Sequence, residues 1–479
     1  MNKVTKPKKN HIRKEIYVTA VIFAFIFLCM IFFLYHFIRY DSKDFIYNSF
    51  NARFSVFADD VVRGSIYTAD GKVMAQTSKD DEGNEIRVYP DERLFSHEVG
   101  YVGKGMAGLE ASYSFDLLKS HITLDDQINN SLTGIKSPGD NLYTTLDYDA
   151  QKAAFEGLGL YDGAVIAIEP ETGKIVAMVS KPDYDPNTIA KYWDDINDSS
   201  KNSSVLMNRA TNGSYPPGST FKIVTTLAYL REHDEDDTYS YNCNGHIDVD
   251  GYTIHCSSNE KHGKENLLQA FSNSCNSAYA DIGIHLDREA FINTAEDLYF
   301  NKTLPTMLSA SKKSAFNIDS DTKESIVGQT AIGQGATSVS PLHMAMLVSA
   351  IANDGELMEP YLADKLVSAE GDIVSQTEPV SAGLIMSAEE VDTLNKYMEA
   401  VVMDGTSAKV DFGDLSVYGK TGTAEYSENK KLTHSWFVGY ASNDDGKQLA
   451  IAVIMEGAGY GSKFAAPLAA KVFNAYFEE

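Results

Sequence analysis

Cysteine is scarce in this chain, with four in 479 residues, and so is proline, with 13. What remains is ordinarily globular, 43% hydrophobic and 11% aromatic, so a large core can be buried and wholesale disorder is excluded. Positive charge is the other shortage. The formal net charge is −26, yet residues 1–15 hold six Lys or Arg and one Glu, so the rest is more acidic still. A body of that sign repels phosphate backbones, which excludes nucleic acid as a partner. No internal repeat is visible, and the length predicts two or more domains.

Charge is also missing from one particular stretch. Ile16 to Ile38 is 23 residues without Asp, Glu, Lys or Arg, enough for a helix to cross a hydrocarbon core of about 30 Å. Basic residues precede it and the acidic body follows. The positive-inside rule therefore predicts a cytoplasmic tail (1–15), a retained single-pass anchor (16–38) and an extracytoplasmic body. A cleaved signal peptide would need a small-x-small site after the apolar run, and HFIRYDSKDF follows instead.

Residues 39–140 read as a mixed, turn-rich module, closed by a polar linker or long loop at Asp125–Asp140. Beyond it, two apolar runs around Pro-Glu-Thr-Gly in Gly163–Ser180 predict a hairpin in a covered sheet. His434–Ser442 and Leu449–Gly457 predict two more strands, and Ala465–Phe477 a closing helix. Helical patterns fill the space between, at Thr220–Arg231, Leu267–Leu286, Pro341–Asn353 and Ala388–Met403. Strands at both ends with helices between them predict an α/β arrangement. The polar stretches Pro186–Asn208 and Ser309–Lys323 are long enough to be lids.

Three short motifs carry chemistry. In YPPGSTFK, Ser219 follows two prolines and a glycine and opens an apolar helix, facing free N–H groups and the positive end of the dipole. Lys222 lies three residues on, on the same face, where desolvation would make it a general base for the serine. Four other Ser-x-x-Lys pairs (from Ser258, Ser309, Ser320 and Ser427) stand in polar stretches with no apolar helix behind them. Ser274-Cys275-Asn276 forms a small polar junction between two helical patterns, able to present a hydroxyl and an amide. Lys420-Thr421-Gly422-Thr423 offers an ammonium and two hydroxyls to an anionic ligand, with a glycine allowing close approach; it lacks the lead of a P-loop. Gly103, Gly105 and Gly108 match a dinucleotide fingerprint, but no βαβ pattern surrounds them, and they are rejected as a cofactor site.

Cys243 and Cys256 flank a Gly-containing loop. A bridge and two free thiols both remain open. Zinc with His246, His255 or His262 lacks the paired short Cys-x-x-Cys spacing, which argues against a metal.

The three motifs in this order resemble those of penicillin-recognising serine enzymes. NRATNGSYPPGSTFK, SNSCNSAYA, GQTAIGQGATSVSPLHMAM and YGKTGTAEY resemble the transpeptidase domain of the high-molecular-mass penicillin-binding proteins, from about Asn141 to the C-terminus. RGSIYTADGKVMA, from Arg63, resembles the Arg-Gly-x-Ile-x-Asp-x-x-Gly segment of class B members, with Thr68 in place of the usual Asp. GYVGKGMAGLEASYSFDLL resembles their Gly-Leu-Glu anchor loop, which explains the rejected glycines as tight turns. There is no room for a glycosyltransferase domain, and the short N-terminal module is similar to compact Gram-positive class B proteins.

The resemblance implies a transpeptidase domain over 141–479, with a mainly antiparallel sheet flanked by helices and an all-helical subdomain. A pedestal or dimerisation-like module would occupy 39–140. It implies peptidoglycan D,D-transpeptidation: Ser219 as nucleophile, Lys222 as base, Ser274 as proton relay and Asn276 bonding the substrate backbone. Lys420, Thr421, Gly422 and Thr423 would hold the terminal carboxylate, and the N–H groups of Ser219 and Thr423 the oxyanion. Partners would be peptidoglycan stem peptides, β-lactams as covalent inhibitors, the cytoplasmic membrane and a polytopic membrane glycosyltransferase, with no cofactor. The rivals are a D,D-carboxypeptidase or β-lactamase on the same fold, a silent scaffold for such a glycosyltransferase, and a β-lactam sensor.

Overall fold

The computed structural model describes residues 9–37, 59–198, 204–233, 238–426 and 433–478. Its N-terminal helix, Lys9–His36, contains one segment long and apolar enough to cross a membrane, Lys14–His36, with its apolar side chains outward. The predicted end at Ile38 and the Ser427–Lys430 pair lie outside the described residues.

The central sheet has five antiparallel strands, in the order Ile175–Lys181, Gly163–Ile168, Gln448–Met455, Thr433–Ser442 and Ser416–Glu425. Both faces are covered, which is why its inner strands read as unbroken apolar runs rather than alternating ones. Val165, Ala167, Ile451 and Val453 pack with the helices Tyr148–Leu158 and Ala465–Phe477. Ala164, Ile166, Ala452 and Ile454 pack on the other side in a core shared with the helix Pro341–Ala352. The predicted hairpin, the C-terminal strand pair and the closing helix are all present.

A second sheet joins segments far apart in sequence: Ile373–Gln376, Ala363–Val367, Asn141–Thr144, Ile66–Tyr67, Val73–Lys79 and Glu85–Val88. Residues on both sides of the expected boundary at Asn141 therefore share one hydrogen-bonded layer. The N-terminal part is held by a buried ion-pair cluster. Glu110, fully buried, accepts from Arg63 Nε at 2.7 Å and Arg87 Nε at 2.6 Å. The Arg-Gly and Gly-Leu-Glu segments singled out in the sequence thus meet in space. The glycines before Glu110 form a two-strand turn, Val102–Gly103 with Gly105–Met106. Thr68, standing where the family has Asp, keeps its turn closed by accepting the Lys72 N–H at 2.9 Å.

Asp125–Asp140 is not a linker. It contains the helix Leu124–Thr133 and the short strand Ser137–Pro138. Thr123 caps the helix by accepting from the Asp126 N–H, Asp125 and Asp126 suit the positive end of the dipole, and Gly134 ends it at φ +71°. Polar composition concealed these signals. The long polar stretches are also partly ordered: Pro186–Asn208 carries the helix Trp193–Ile196, whose Trp193 packs edge-on to Tyr101, although 199–203 lie outside the described residues. Ser309–Lys323 contributes Ala315–Phe316, paired with Thr337–Ser338. The helical side of the domain also carries two small hairpins, which the sequence reading did not anticipate: Tyr241–Cys243 with Gly263–Glu265, and His246–Val249 with Tyr252–His255.

Candidate active site

Pro216 and Pro217 end the preceding bridge, and Gly218 then takes φ +54°. The α-helix begins at Lys222 rather than at Ser219, which lies in the tight 3-10 turn Gly218–Phe221 just before it. The left-handed step at Gly218 and the Thr220 hydroxyl donating to Pro217 O at 2.8 Å hold the chain in that turn. Outside braces fix it as well: Gly218 N–H donates to Gly333 O at 2.8 Å, and Trp436 Nε1 to Pro216 O at 3.1 Å. Ser219 remains partly exposed, while Thr220, Phe221 and Lys222 are buried.

Lys222 is fully buried and reaches the second motif. Its Nζ donates to Ser274 O at 2.7 Å, to Asn276 Oδ1 at 2.9 Å and to Ser274 Oγ at 3.3 Å. Removal from water pulls its pKa down to about 8, with Cys275, Cys256 and Glu265 opposing. The Ser219 hydroxyl has no hydrogen-bond partner among the described residues, so the direct Ser219–Lys222 bond expected from the spacing is replaced by these three. A buried ammonium has three protons to satisfy, and the carbonyl and amide oxygens are fixed acceptors. Catalytic bonds that are loose in a free enzyme tighten around a substrate.

The continuous helical pattern predicted over Leu267–Leu286 breaks at this motif. Leu267–Ser272 ends, Ser274 adopts φ +56°, and Asn276–His285 begins with Cys275 as its N-cap. That break turns both Ser274 oxygens toward Lys222.

The third motif lies on the edge strand Ser416–Glu425. A Cβ on Gly422 would fall 2.9 Å from Thr220 Cγ2 and 3.0 Å from Pro217 O, so only glycine lets the strand lie against the nucleophile turn. Lys420 is fully buried. Its Nζ donates to Thr421 O at 3.3 Å and stands 5.5 Å from the centre of the Phe271 ring. Burial first, and then the Lys222 charge, push its pKa well below the ordinary lysine range. Thr421 Oγ1 pairs with Thr406 Oγ1 at 2.6 Å, and Thr423 stays partly exposed.

The sequence reading missed several supports. Thr406 and Trp436 stand in no motif, and Tyr279, its ring 5.1 Å from Lys222 Nζ, lies within SNSCNSAYA without being singled out. The cysteines give the largest difference. Cys243 and Cys256 are free thiols, with Sγ atoms 3.6 Å apart. Cys243, Cys256, His262 and Cys275 bring their donor atoms within 4.8 Å of one another. Such a grouping needs no paired short Cys-x-x-Cys spacing, because the four residues come from separate segments.

A serine on a braced turn, a buried lysine bonded to a Ser-x-Asn turn, and a Lys-Thr-Gly-Thr edge strand define the penicillin-recognising class of serine acyl-transferring proteins. The chain belongs to the penicillin-binding protein transpeptidase family, whose transpeptidase domain matches residues 163–474, preceded by a match to the penicillin binding protein A dimerisation domain at 63–142. It is 30% identical over 456 residues to the peptidoglycan D,D-transpeptidase PbpA of Mycolicibacterium smegmatis, covering 87% of this chain and 89% of that protein. It is 29% identical over 428 residues to stage V sporulation protein D of Bacillus subtilis, covering 82% of this chain and 64% of that one. Among solved structures it is similar to penicillin-binding protein A of M. tuberculosis as its ceftriaxone acyl-enzyme (TM-score 0.79, 26% identity, 88% of this chain and 100% of that one). It is also similar to the D,D-transpeptidase domain of a peptidoglycan glycosyltransferase from Eggerthella lenta (TM-score 0.78, 28% identity, 88% and 99%).

Proposed function

We propose that this protein is a peptidoglycan D,D-transpeptidase that cross-links stem peptides through an acyl-enzyme on Ser219. The observation that carries the reading is the buried Lys222, bonded at once to Ser274 and Asn276 one turn from Ser219. Ser219 Oγ attacks the carbonyl of the penultimate D-alanine and loses its proton to neutral Lys222. The oxyanion is held by the N–H groups of Ser219 and Thr423. The C–N bond then breaks, and the proton passes from Lys222 through Ser274 Oγ to the departing D-alanine amine. Asn276 bonds the substrate backbone, and Lys420, Thr421 and Thr423 hold the terminal carboxylate, with Gly422 permitting the approach. An amine from a neighbouring stem attacks the ester carbonyl, the C–Oγ bond breaks, and the amine's proton returns through Lys222 to Ser219 Oγ. β-Lactams enter the first half of this cycle and stay bound.

The basic residues before the apolar helix support a tail in the cytoplasm and a body outside the membrane. The domain division is 39–140 for the N-terminal module and 141–479 for the catalytic domain. A polytopic membrane glycosyltransferase is the proposed partner. Leu124, Ile128 and Leu132, exposed at helical spacing on the N-terminal module, support a protein contact there. Incubating the full chain with pentapeptide-bearing glycan strands tests the activity. Cross-linked dimers with released D-alanine are expected. D-Alanine release without dimers would make it a carboxypeptidase, and no release at all, from protein that binds penicillin, would sink the proposal.

A further inference from the structure

Cys243 ends the strand Tyr241–Cys243, Cys256 follows Tyr252–His255, His262 precedes Gly263–Glu265, and Cys275 sits between Ser274 and Asn276. Three of the six edges of this cluster are 3.6 Å for Cys243–Cys256, 3.8 Å for Cys256–Cys275, and 3.4 Å from Cys243 Sγ to His262 Nδ1, and every pair of donor atoms lies within 4.8 Å. A tetrahedral ion with Zn–S of about 2.3 Å and Zn–N of about 2.0–2.1 Å sets ligand atoms ~3.8 Å apart for S···S and ~3.5 Å for S···N. Those three edges fall within about 0.2 Å of the tetrahedral values. A disulfide needs about 2.0 Å between sulfurs and would leave a third thiol and the imidazole unused.

The surroundings suit bound thiolates and a cation. Gly245 N–H donates to Cys243 Sγ at 3.3 Å, and Ser277 Oγ lies 3.0 Å from Cys256 Sγ and 3.1 Å from Cys243 Sγ. Glu265 is buried, and its Oε2, without a hydrogen-bond partner, lies 3.9 Å from His262 Nδ1. An unpaired buried carboxylate oxygen beside three thiols is unfavourable unless positive charge is added. With Nδ1 turned to the sulfurs, His262 Nε2 faces the Glu260 carboxylate at 3.9 Å, a favourable charge beside a ligating imidazole. The three cysteines are at most 2% exposed, so the site is closed by protein, as structural sites are and catalytic ones are not.

We propose that Cys243, Cys256, His262 and Cys275 bind one zinc ion tetrahedrally and so hold the Ser274–Asn276 turn in place beneath Lys222. Binding displaces three thiol protons to solvent and leaves a centre of three thiolates, one imidazole and the ion, with a net charge of −1. Cys275 is the link to the active site. Its sulfur is pinned to the ion while its two neighbours carry the acceptors of Lys222, and the left-handed Ser274 between helices needs such an anchor. Zinc binding stands apart from the transpeptidase reading, whereas the effect on acylation rests on it.

The test uses the full chain purified in detergent without chelator. Elemental mass spectrometry is expected to find about one zinc per chain, and exchange for cobalt(II) to give thiolate charge-transfer bands with the strong visible bands of a tetrahedral site. Chelation should slow acylation by a fluorescent penicillin about 10- to 100-fold, with recovery on adding zinc back. His262→Ala should lose zinc, while His262→Cys, which restores four ligands, should keep it. If His262→Ala fails to fold, the chelation series and His262→Cys still decide. Metal-free native protein with reactive thiols, or with two cysteines joined as a disulfide, overturns the site. Zinc bound at full occupancy with acylation indifferent to its removal overturns the positioning role. Zinc-loaded protein that forms no penicillin adduct contradicts the acyl-enzyme reading and leaves the metal site standing.

Discussion

The pH dependence of penicillin acylation reads the state of Lys222. Burial removes its ammonium from water and brings the pKa from 10.5 to about 8. At about 1.4 kcal/mol per unit, the charged form is disfavoured by about 3 kcal/mol relative to a lysine in water. A group with that pKa is about one-tenth neutral at pH 7 and about nine-tenths neutral at pH 9. An ordinary lysine would be below about a thousandth neutral at pH 7 and still only a few per cent neutral at pH 9. If neutral Lys222 takes the Ser219 proton, the second-order rate constant for a fluorescent penicillin rises about tenfold between pH 7 and 9 and then levels off. A rise of about a hundredfold with no levelling would mean an unshifted lysine, and a flat profile would remove Lys222 as the base. Either result refutes the reasoning. Stability should move with the same group. The folded pKa is the lower one, so the unfolded chain binds more protons between about pH 8 and 10.5, and stability rises with pH across that window. Lys222→Met should abolish acylation yet melt close to the parent at pH 7. The relief of about 3 kcal/mol is offset by oxygens of Ser274 and Asn276 left unpaired, at about 1–3 kcal/mol each.

Three further outcomes follow from the same geometry. Glu110→Gln leaves the Arg63 and Arg87 guanidiniums without their buried counter-charge, and should cost about 3–5 kcal/mol in thermal or denaturant unfolding while folded protein still acylates. Burial would raise the Glu110 carboxyl, but the two guanidiniums hold it low, so this stabilisation is lost as the pH falls into the acid range. Gly422→Ala pushes a methyl against Thr220 and Pro217 and should slow acylation at least tenfold, at a stability cost of about 1–3 kcal/mol; parent-like kinetics would contradict the close approach. Burial disfavours the Lys420 ammonium in the free site, and an arriving carboxylate should favour it. Pre-acylation affinity for a β-lactam acid should then weaken as pH rises while that for its methyl ester does not, measured from saturation of the acylation rate.

Much of this architecture could be read from the chain because some segments state their limits locally. Ala388–Met403 matches at both ends, since Ser387 and Glu390 form a capping box before an amphipathic run. The covered strands gave long apolar runs, and the Pro-Pro-Gly lead marked the nucleophile turn. Leu124–Thr133 was missed although Leu124, Ile128 and Leu132 keep helical spacing, because Asp, Asn, Gln and Ser fill the positions between them and read as a polar loop. The residues of the three motifs were legible, but the bonding of Lys222 to Ser274 and Asn276 was not. It depends on a left-handed step at Ser274 inside what reads as continuous helix. The Arg63–Glu110–Arg87 cluster, and the place of Cys275 beside Cys243, Cys256 and His262, were out of reach for one reason: each collects single residues from separate elements, and only the fold sets them side by side.

Every step of the proposed cycle depends on an acyl-enzyme at Ser219. Intact-mass spectrometry of the protein with a penicillin, beside the Ser219→Ala variant, tests it most directly. A slowly decaying adduct of one penicillin is expected on the parent and none on the variant. An unmodified parent that is properly folded, or an equal adduct on Ser219→Ala, would contradict it.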